Sequence, residues 1–313
     1  WRIDFQLGWQ ADPEEEKKPG KVIPRIKALL GEDARFELEW VSVYTFACQR
    51  MERFRHARVI FAGDAAHGVS PFGARGANSG VQDVDNLGWK LALVLAAKAP
   101  DALLDTYAAE REFAADENIL NSTRSTDFIT PKSGVSRQFR DAVLKLAQDH
   151  PFARRLVNSG RLSVPATLSQ SALNTPYRDD FAGAMVPGAP AADAPVRIEG
   201  RDDWFLSQVG GAFAVVLFSD DGVPASGTAS TLRSLASAPI PVEAMVVTPP
   251  GARTGGLAGV THVEDAQRML AQRYDARDGS CYLLRPDQHV CARWRRFDPV
   301  AVAAAVARAT CNP

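Results

Sequence analysis

Cysteine is scarce in this chain of 313 residues. Cys48, Cys281, Cys291 and Cys311 form no C-x-x-C and no zinc-ligand spacing, so neither a thiol redox pair nor a zinc site is encoded. Charge of one sign is missing too. Thirty-six basic residues face 37 acidic ones, which gives no footing for nucleic acid or an anionic membrane surface. Long apolar runs are absent: Leu91–Ala97 and Val300–Ala307 are too short to span a bilayer. No signal peptide is visible, and a cytoplasmic protein with reduced thiols is the expectation. Asn121-Ser122-Thr123 matches a glycosylation acceptor, read here as chance. No G-x-G-x-x-G occurs anywhere, and Gly210-Gly211 is no substitute, because it precedes a strand instead of following one. The first residue is Trp, not Met.

What is present is concentrated in one stretch. Arg58-Val59-Ile60-Phe61 reads as a buried strand that runs into Gly63-Asp64-Ala65-Ala66-His67. A glycine-punctuated loop through Pro71, Phe72, Gly73 and Gly76 follows, and a helix begins near Ala77. Such a unit puts the Asp64 carboxylate at the end of a strand and clusters backbone N–H groups at the helix start. The first suits a sugar hydroxyl and the second suits negative charge. Together they describe a site for a nucleotide cofactor with an electron-accepting head.

Gly63, Asp64, His67, Pro71, Gly73, Gly76, Asn78, Gly80 and Asp83, at this spacing, resemble the second flavin-binding motif of the FAD-dependent aromatic hydroxylases. These are single-component monooxygenases related to para-hydroxybenzoate and phenol hydroxylases. The resemblance implies hydroxylation of a phenolic substrate using O2 and either NADPH or NADH. It implies that Asp64 takes a ribityl hydroxyl of FAD, and that Gly76, Ala77 and Asn78 turn backbone N–H groups to the flavin's N1–C2 carbonyl edge. Pro71, Phe72 and Gly73 would pass between flavin and substrate, with Ser70 standing where many members carry another proline. Tyr44, Phe46 and Arg50 are pocket candidates, with ordinary sheet and surface positions as the alternative. His67 is assigned to the fold of the motif rather than to acid–base work. Arg75 either neutralises the cofactor side or is solvated, and Asp83 hydrogen-bonds near the motif. Arg111, after Glu110, resembles a structural helix pair of the family. No catalytic base is identifiable and no metal is implied.

The expected class is α/β (α+β). Residues 1–178 read as the C-terminal portion of FAD- and substrate-binding domains: a substrate-domain sheet at 1–50, the motif and its helices at 51–122, and a helical connector at 123–178. In the first part, alternation predicts strands at Trp1–Leu7 and Phe36–Phe46. Predicted helices follow at Ala77–Leu95, with Val81, Val84, Leu87, Leu91, Val94 and Leu95 inward, at Asp101–Asn121, and at Val135–Gln148, with Phe139, Val143, Leu144 and Ala147 inward. Arg154–Leu173 is mixed.

Residues 179–313 follow the order strand, helix, strand, helix, hairpin, helix: Ala212–Phe218, Ala229–Ala236, Val242–Thr248, Glu264–Tyr274, Cys281–Arg285 with Val290–Trp294, and Pro299–Ala309. That order resembles the thioredoxin-like domain of phenol-hydroxylase-type members. It carries no CxxC, since Ser219-Asp220-Asp221-Gly222 stands where a redox pair would lie. Cys281 and Cys291 could face each other across the hairpin, but no functional disulfide is expected there, and the domain reads as structural or homodimer-forming. The missing glycine fingerprint implies an N-terminal half upstream, truncated, proteolysed or encoded as a separate chain, without which FAD should bind poorly. Rival expectations are a halogenase or reductase of the same superfamily, or a non-catalytic fragment or dimerisation module.

Overall fold

A computed structural model describes residues 1–8, 10–71, 73–157, 164–222, 227–252 and 259–312, in two units, 1–47 and 48–313. In the first unit Asp12 caps the short helix α1 (Pro13–Glu16) by accepting from the Glu14 N–H, and α2 (Pro19–Leu30) buries Val22 and Ile26. The predicted strands at Trp1–Leu7 and Phe36–Phe46 do not form. Alternation alone is insufficient, because a strand exists only where a neighbour completes its ladder. No described strand pairs with either segment, and Trp40, Tyr44 and Phe46 remain exposed.

The second unit opens with short strands. β1 (Gln49–Arg50), β2 (Arg55–His56), β3 (Val59–Ile60) and β4 (His67–Gly68) pair as β1–β4 and β2–β3, both antiparallel. The predicted Arg58–Phe61 strand thus contracts to two residues. A 3-10 turn, Gly63–Ala65, lies between β3 and β4. The helices α3 (Arg75–Leu95), α4 (Ala102–Ile129), α5 (Gly134–Asp149) and α6 (Pro151–Val157) come next. The Ser133 hydroxyl caps α5 by accepting from the Ser136 N–H. Part of the Arg154–Leu173 stretch, 158–163, lies outside the described residues.

The buried side of α3 is not the apolar one. Val81 and Val84 are 69% and 63% exposed, and Leu95 is exposed as well, whereas Ser79, Asp83, Asn86 and Lys90 are buried with Trp89. Helical periodicity locates a face but does not say which face turns inward. Here complementary charges on α4 outweigh the apolar stripe. On α5 only Val143 of the predicted inward set is buried, and Phe139 and Leu144 are exposed.

Further along come β5 (Pro195–Ile198), β6 (Arg201–Trp204), β7 (Phe213–Phe218), α7 (Thr228–Leu235), β8 (Val242–Thr248), β9 (Thr261–Glu264), α8 (Met269–Arg273), β10 (Cys281–Leu284), β11 (Val290–Trp294) and α9 (Pro299–Ala309). They build a seven-stranded sheet ordered β11-β10-β7-β8-β9-β5-β6. β7 runs parallel to β8 and β8 to β9, while β10, β11, β5 and β6 pair antiparallel. The β5–β6 hairpin and β9 escaped the sequence reading, and the predicted Glu264–Tyr274 helix shortens to α8, with Glu264 ending β9. Asp298 caps α9 by accepting from Val300 and Ala301 N–H groups, with Pro299 at the first helical position.

Every residue of β7 is buried, as a central strand covered on both faces requires. Phe213, Val215 and Leu217 join Trp89, Leu103 and Val302 on one face, and Ala214, Val216 and Phe218 join Met245, Tyr274 and Tyr282 on the other. α3 and α4 therefore share a core with this sheet, with Trp89 edge-on to Phe213 at 5.6 Å. Cys281 stands opposite Trp294, not Cys291, which falls at the bulge between the Leu283–Ala292 and Leu284–Val290 pairs. Burial pushes the Cys291 thiol up to about 12 and raises that of Cys281 as well, so neither is a ready thiolate. No described helix is long and apolar enough to cross a membrane.

Candidate functional site

After β3 the chain turns through Gly63, whose φ of +61° lies in the left-handed region that glycine enters without steric cost. The Gly63 N–H donates to Asp83 Oδ2 at 2.8 Å, so a carboxylate on α3 holds the turn. A Cβ on Gly80 would stand 3.4 Å from Gly63 Cα, which shows turn and helix meeting backbone to backbone. Asp64 comes next, exposed and with no hydrogen-bond partner among the described residues. Its carboxylate is solvated, and available.

Gly73 (φ +88°) and Ala74 (φ +52°) carry the loop into α3. No side chain caps this helix of 21 residues, so the Gly76 and Ala77 N–H groups have no partner from within it. Asn78 turns its side-chain amide back to the Ala74 carbonyl at 2.7 Å. A Cβ on Gly76 would meet only Val69 Cγ2, at 4.0 Å, so the backbone is open to close approach there. Ala62, Gly63, Ala77, Gly80, Val81, Val84 and Asp85 line an open cleft of about 670 Å³, and Asp64 directly follows Gly63 in the chain. A flat ring carrying acceptors on one edge and a hydroxylated chain at its end fits this donor set. Pro71 and Gly73 are exposed on the loop. Phe72 lies outside the described residues.

Under the cleft Asp83, fully buried, is shared by three donors. His67 Nε2 lies 2.7 Å from Oδ2, and Arg111 Nε donates to Oδ1 at 2.6 Å, in addition to the Gly63 bond. A carboxylate this dry would ordinarily hold its proton more tightly. The His67 hydrogen bond, the Arg111 charge and the Gly63 N–H outweigh burial and hold it below the ordinary carboxylate range. His67, stacked on Phe54, is packed into the motif. Arg75 is buried and donates to the Val164 carbonyl at 2.8 Å, which overturns the solvated alternative.

Tyr44 and Phe46 belong to the first unit, where Tyr44 accepts from Arg2 and Phe46 is exposed. Arg50 is committed elsewhere: it grips Asp116 with bonds of 2.6 and 2.8 Å, which removes it from the pocket candidates.

A second buried cluster went unread in the sequence. Glu110 on α4 accepts from Lys90 Nζ at 2.7 Å and from two nitrogens of Arg285 at 2.6 and 2.9 Å. Arg285 also grips Asp287 in the β10–β11 turn, and Asn86 bridges Glu110 and Asp287. All five side chains are buried. The only signals were the Glu110-Arg111 doublet and a charged hairpin tip, and nothing in one sequence joins positions 175 residues apart.

Residues 2–122 match the model of the FAD binding domain family. Among curated proteins, a probable NADH-specific resorcinol 4-hydroxylase of Rhodococcus jostii (strain RHA1) is 35% identical over 255 residues, 73% of this chain and 45% of that protein. A 3-(3-hydroxy-phenyl)propionate/3-hydroxycinnamic acid hydroxylase of Shigella sonnei is 30% identical over 93% of this chain and 52% of its own length. The chain thus spans about half the length of the curated relatives it matches. The flavin-dependent monooxygenase PieE, solved with FAD and substrate, superposes over 98% of this chain and 57% of its own, with a TM-score of 0.72 at 22% identity. That likeness shows the fold.

Proposed function

We propose that this chain, a relative of the FAD-dependent aromatic hydroxylases, forms the flavin-edge part of a monooxygenase that hydroxylates a phenolic ring with O2 and NADH or NADPH. The observation that carries the reading is the uncapped N-terminus of α3, whose Ala77 lines the same cleft as Gly63, the residue that precedes the exposed Asp64 carboxylate. Bound FAD would supply the hydride-accepting and oxygen-activating chemistry. The chain's own residues bind and orient. Asp64 accepts a ribityl hydroxyl, while the Gly76 and Ala77 amides, with Asn78 next in the helix, face the ring's carbonyl edge. There the helix end stabilises negative charge without a charged side chain. Gly63, tied to Asp83, keeps Asp64 in place. Pro71 and Gly73 border the substrate side.

The names of the relatives favour a resorcinol or a hydroxyphenylpropionate-like acid as substrate, and NADH as reductant. The order β8-β7-β10-β11, with a parallel central pair and a closing helix, supports reading 179–313 as a thioredoxin-like domain without redox function that serves homodimer formation.

Two substitutions test the site. Asp64→Ala is expected to weaken FAD binding about tenfold to a hundredfold, the worth of a hydrogen bond to a charged acceptor. Flavin retained after desalting reads this, and unchanged retention would sink the assignment. Gly76→Val is expected to leave thermal stability within about 1 kcal/mol, because only Val69 lies nearby. It should nevertheless bar the flavin ring from the helix end. Normal flavin content in that variant would show that glycine is not there for the ligand.

A further inference from the structure

Ser70 is only 1% exposed, and its hydroxyl lies 3.1 Å from Thr126 Oγ1 on α4. The Thr126 hydroxyl itself donates to the Ser122 carbonyl at 2.8 Å. A carbonyl only accepts, so the hydrogen between the two hydroxyls belongs to Ser70. This bond joins the start of the loop to a helix 56 residues away.

The backbone just beyond Ser70 is costly. Gly73 and Ala74 are consecutive left-handed residues, and Ala74, unlike glycine, holds φ +52° against its own Cβ. Such a conformation persists only where its surroundings over-determine it. Within the turn, the Ala74 N–H bonds the Pro71 carbonyl at 3.1 Å. On the helix side, Asp83 pins α3 to Gly63. On the loop side, Ser70 on Thr126 is one anchor, next to Arg75 on the Val164 carbonyl.

We propose that Ser70 is a positioning residue: by donating to Thr126 it sets Gly73 and Ala74 and hence where the Gly76 and Ala77 amides point. Its consequence for turnover rests on the hydroxylase reading; the anchor itself does not.

Ser70→Ala removes the donor and Thr126→Val removes the acceptor at nearly constant shape, whereas Thr126→Ser keeps the acceptor. In the intact protein loaded with FAD, deuterium exchange at amides 73–77 should quicken about threefold to tenfold in the first two variants, the equivalent of one lost hydrogen bond. It should stay at the wild-type rate in Thr126→Ser, and the double variant should be no faster than either single. Ser70→Ala and Thr126→Val should also raise uncoupled turnover several-fold, in which NADH, H⁺ and O2 yield NAD⁺ and H2O2 with no hydroxylated product, at an unchanged KM for the phenol. Wild-type exchange in both variants, or a Thr126→Ser that behaves like Thr126→Val, overturns the anchor. Faster exchange with unaltered peroxide yield overturns the positioning role. A wild-type protein that takes up no FAD refutes the hydroxylase reading instead, and the exchange comparison, run without flavin, still decides the anchor.

Discussion

Glu110→Gln is expected to destabilise the protein by about 3–5 kcal/mol, enough to remove much of the stability of an ordinary domain. The substitution keeps the shape of the side chain and deletes one charge from a buried set of two cations and two anions: Lys90, Arg285, Glu110 and Asp287. Two buried cations would then share the single carboxylate of Asp287, and an unpaired charge away from water is what makes breaking such a cluster expensive. The loss should appear as a lower urea midpoint, with α3 and α4 loosening from the sheet that Arg285 ties them to.

Its pH dependence follows from the same groups. Burial alone would raise the Glu110 and Asp287 carboxyls. The charge of Arg285 outweighs it at both, aided by Lys90 at Glu110 and by His289 at Asp287, and holds both below the carboxylate range. A depressed carboxyl contributes stability in full above its unfolded value, near pH 4, and loses it as pH falls. The wild-type midpoint should therefore fall steeply from pH 5 to 3, and less steeply in Glu110→Gln. Lys90 acts in the opposite range. Burial pulls it down to about 8 against the attraction of Glu110, so it costs stability below that pH and the cost is relieved on the way to about pH 10. A urea midpoint flat from pH 5 to 3 in the wild type would contradict this account.

Asp83→Asn should be nearly as damaging to the fold, by about 3–4 kcal/mol, and more damaging to flavin binding than its distance from the cleft suggests. The amide cannot neutralise buried Arg111, and it cannot accept from His67, Gly63 and Arg111 with both ends at once. Released from Asp83, the Gly63 turn no longer fixes Asp64. Denaturant melts and FAD titration together would check this. A variant that lost stability but bound FAD as tightly as wild type would show that the turn holds its shape without Asp83.

The motif from Gly63 to Asp83 was legible because it is local. A strand end, a carboxylate after it, a glycine-punctuated loop and a helix start lie within about twenty residues, and each is dictated by backbone chemistry acting on neighbours. The central strands and α9 were legible for the same reason: a continuous apolar run, or an Asp-Pro start, says what it is without reference to anything distant.

Three outcomes needed the tertiary structure. The alternation at Phe36–Phe46 describes a surface suited to a sheet, but hydrogen-bond partners must come from another strand, and none pairs with it among the described residues. The periodicity of α3 marks two faces, and the polar one went inward because Glu110 and Arg111 on α4 and Arg285 beside β11 were waiting for it. Nothing local to Ser70 names its partner, and only the fold brings Thr126 within reach of its hydroxyl. Sequence by itself determined which backbone turns and charges were available near the cleft. Only the folded chain decided which of those charges are paired, because pairing depends on distances between segments that no local pattern encodes.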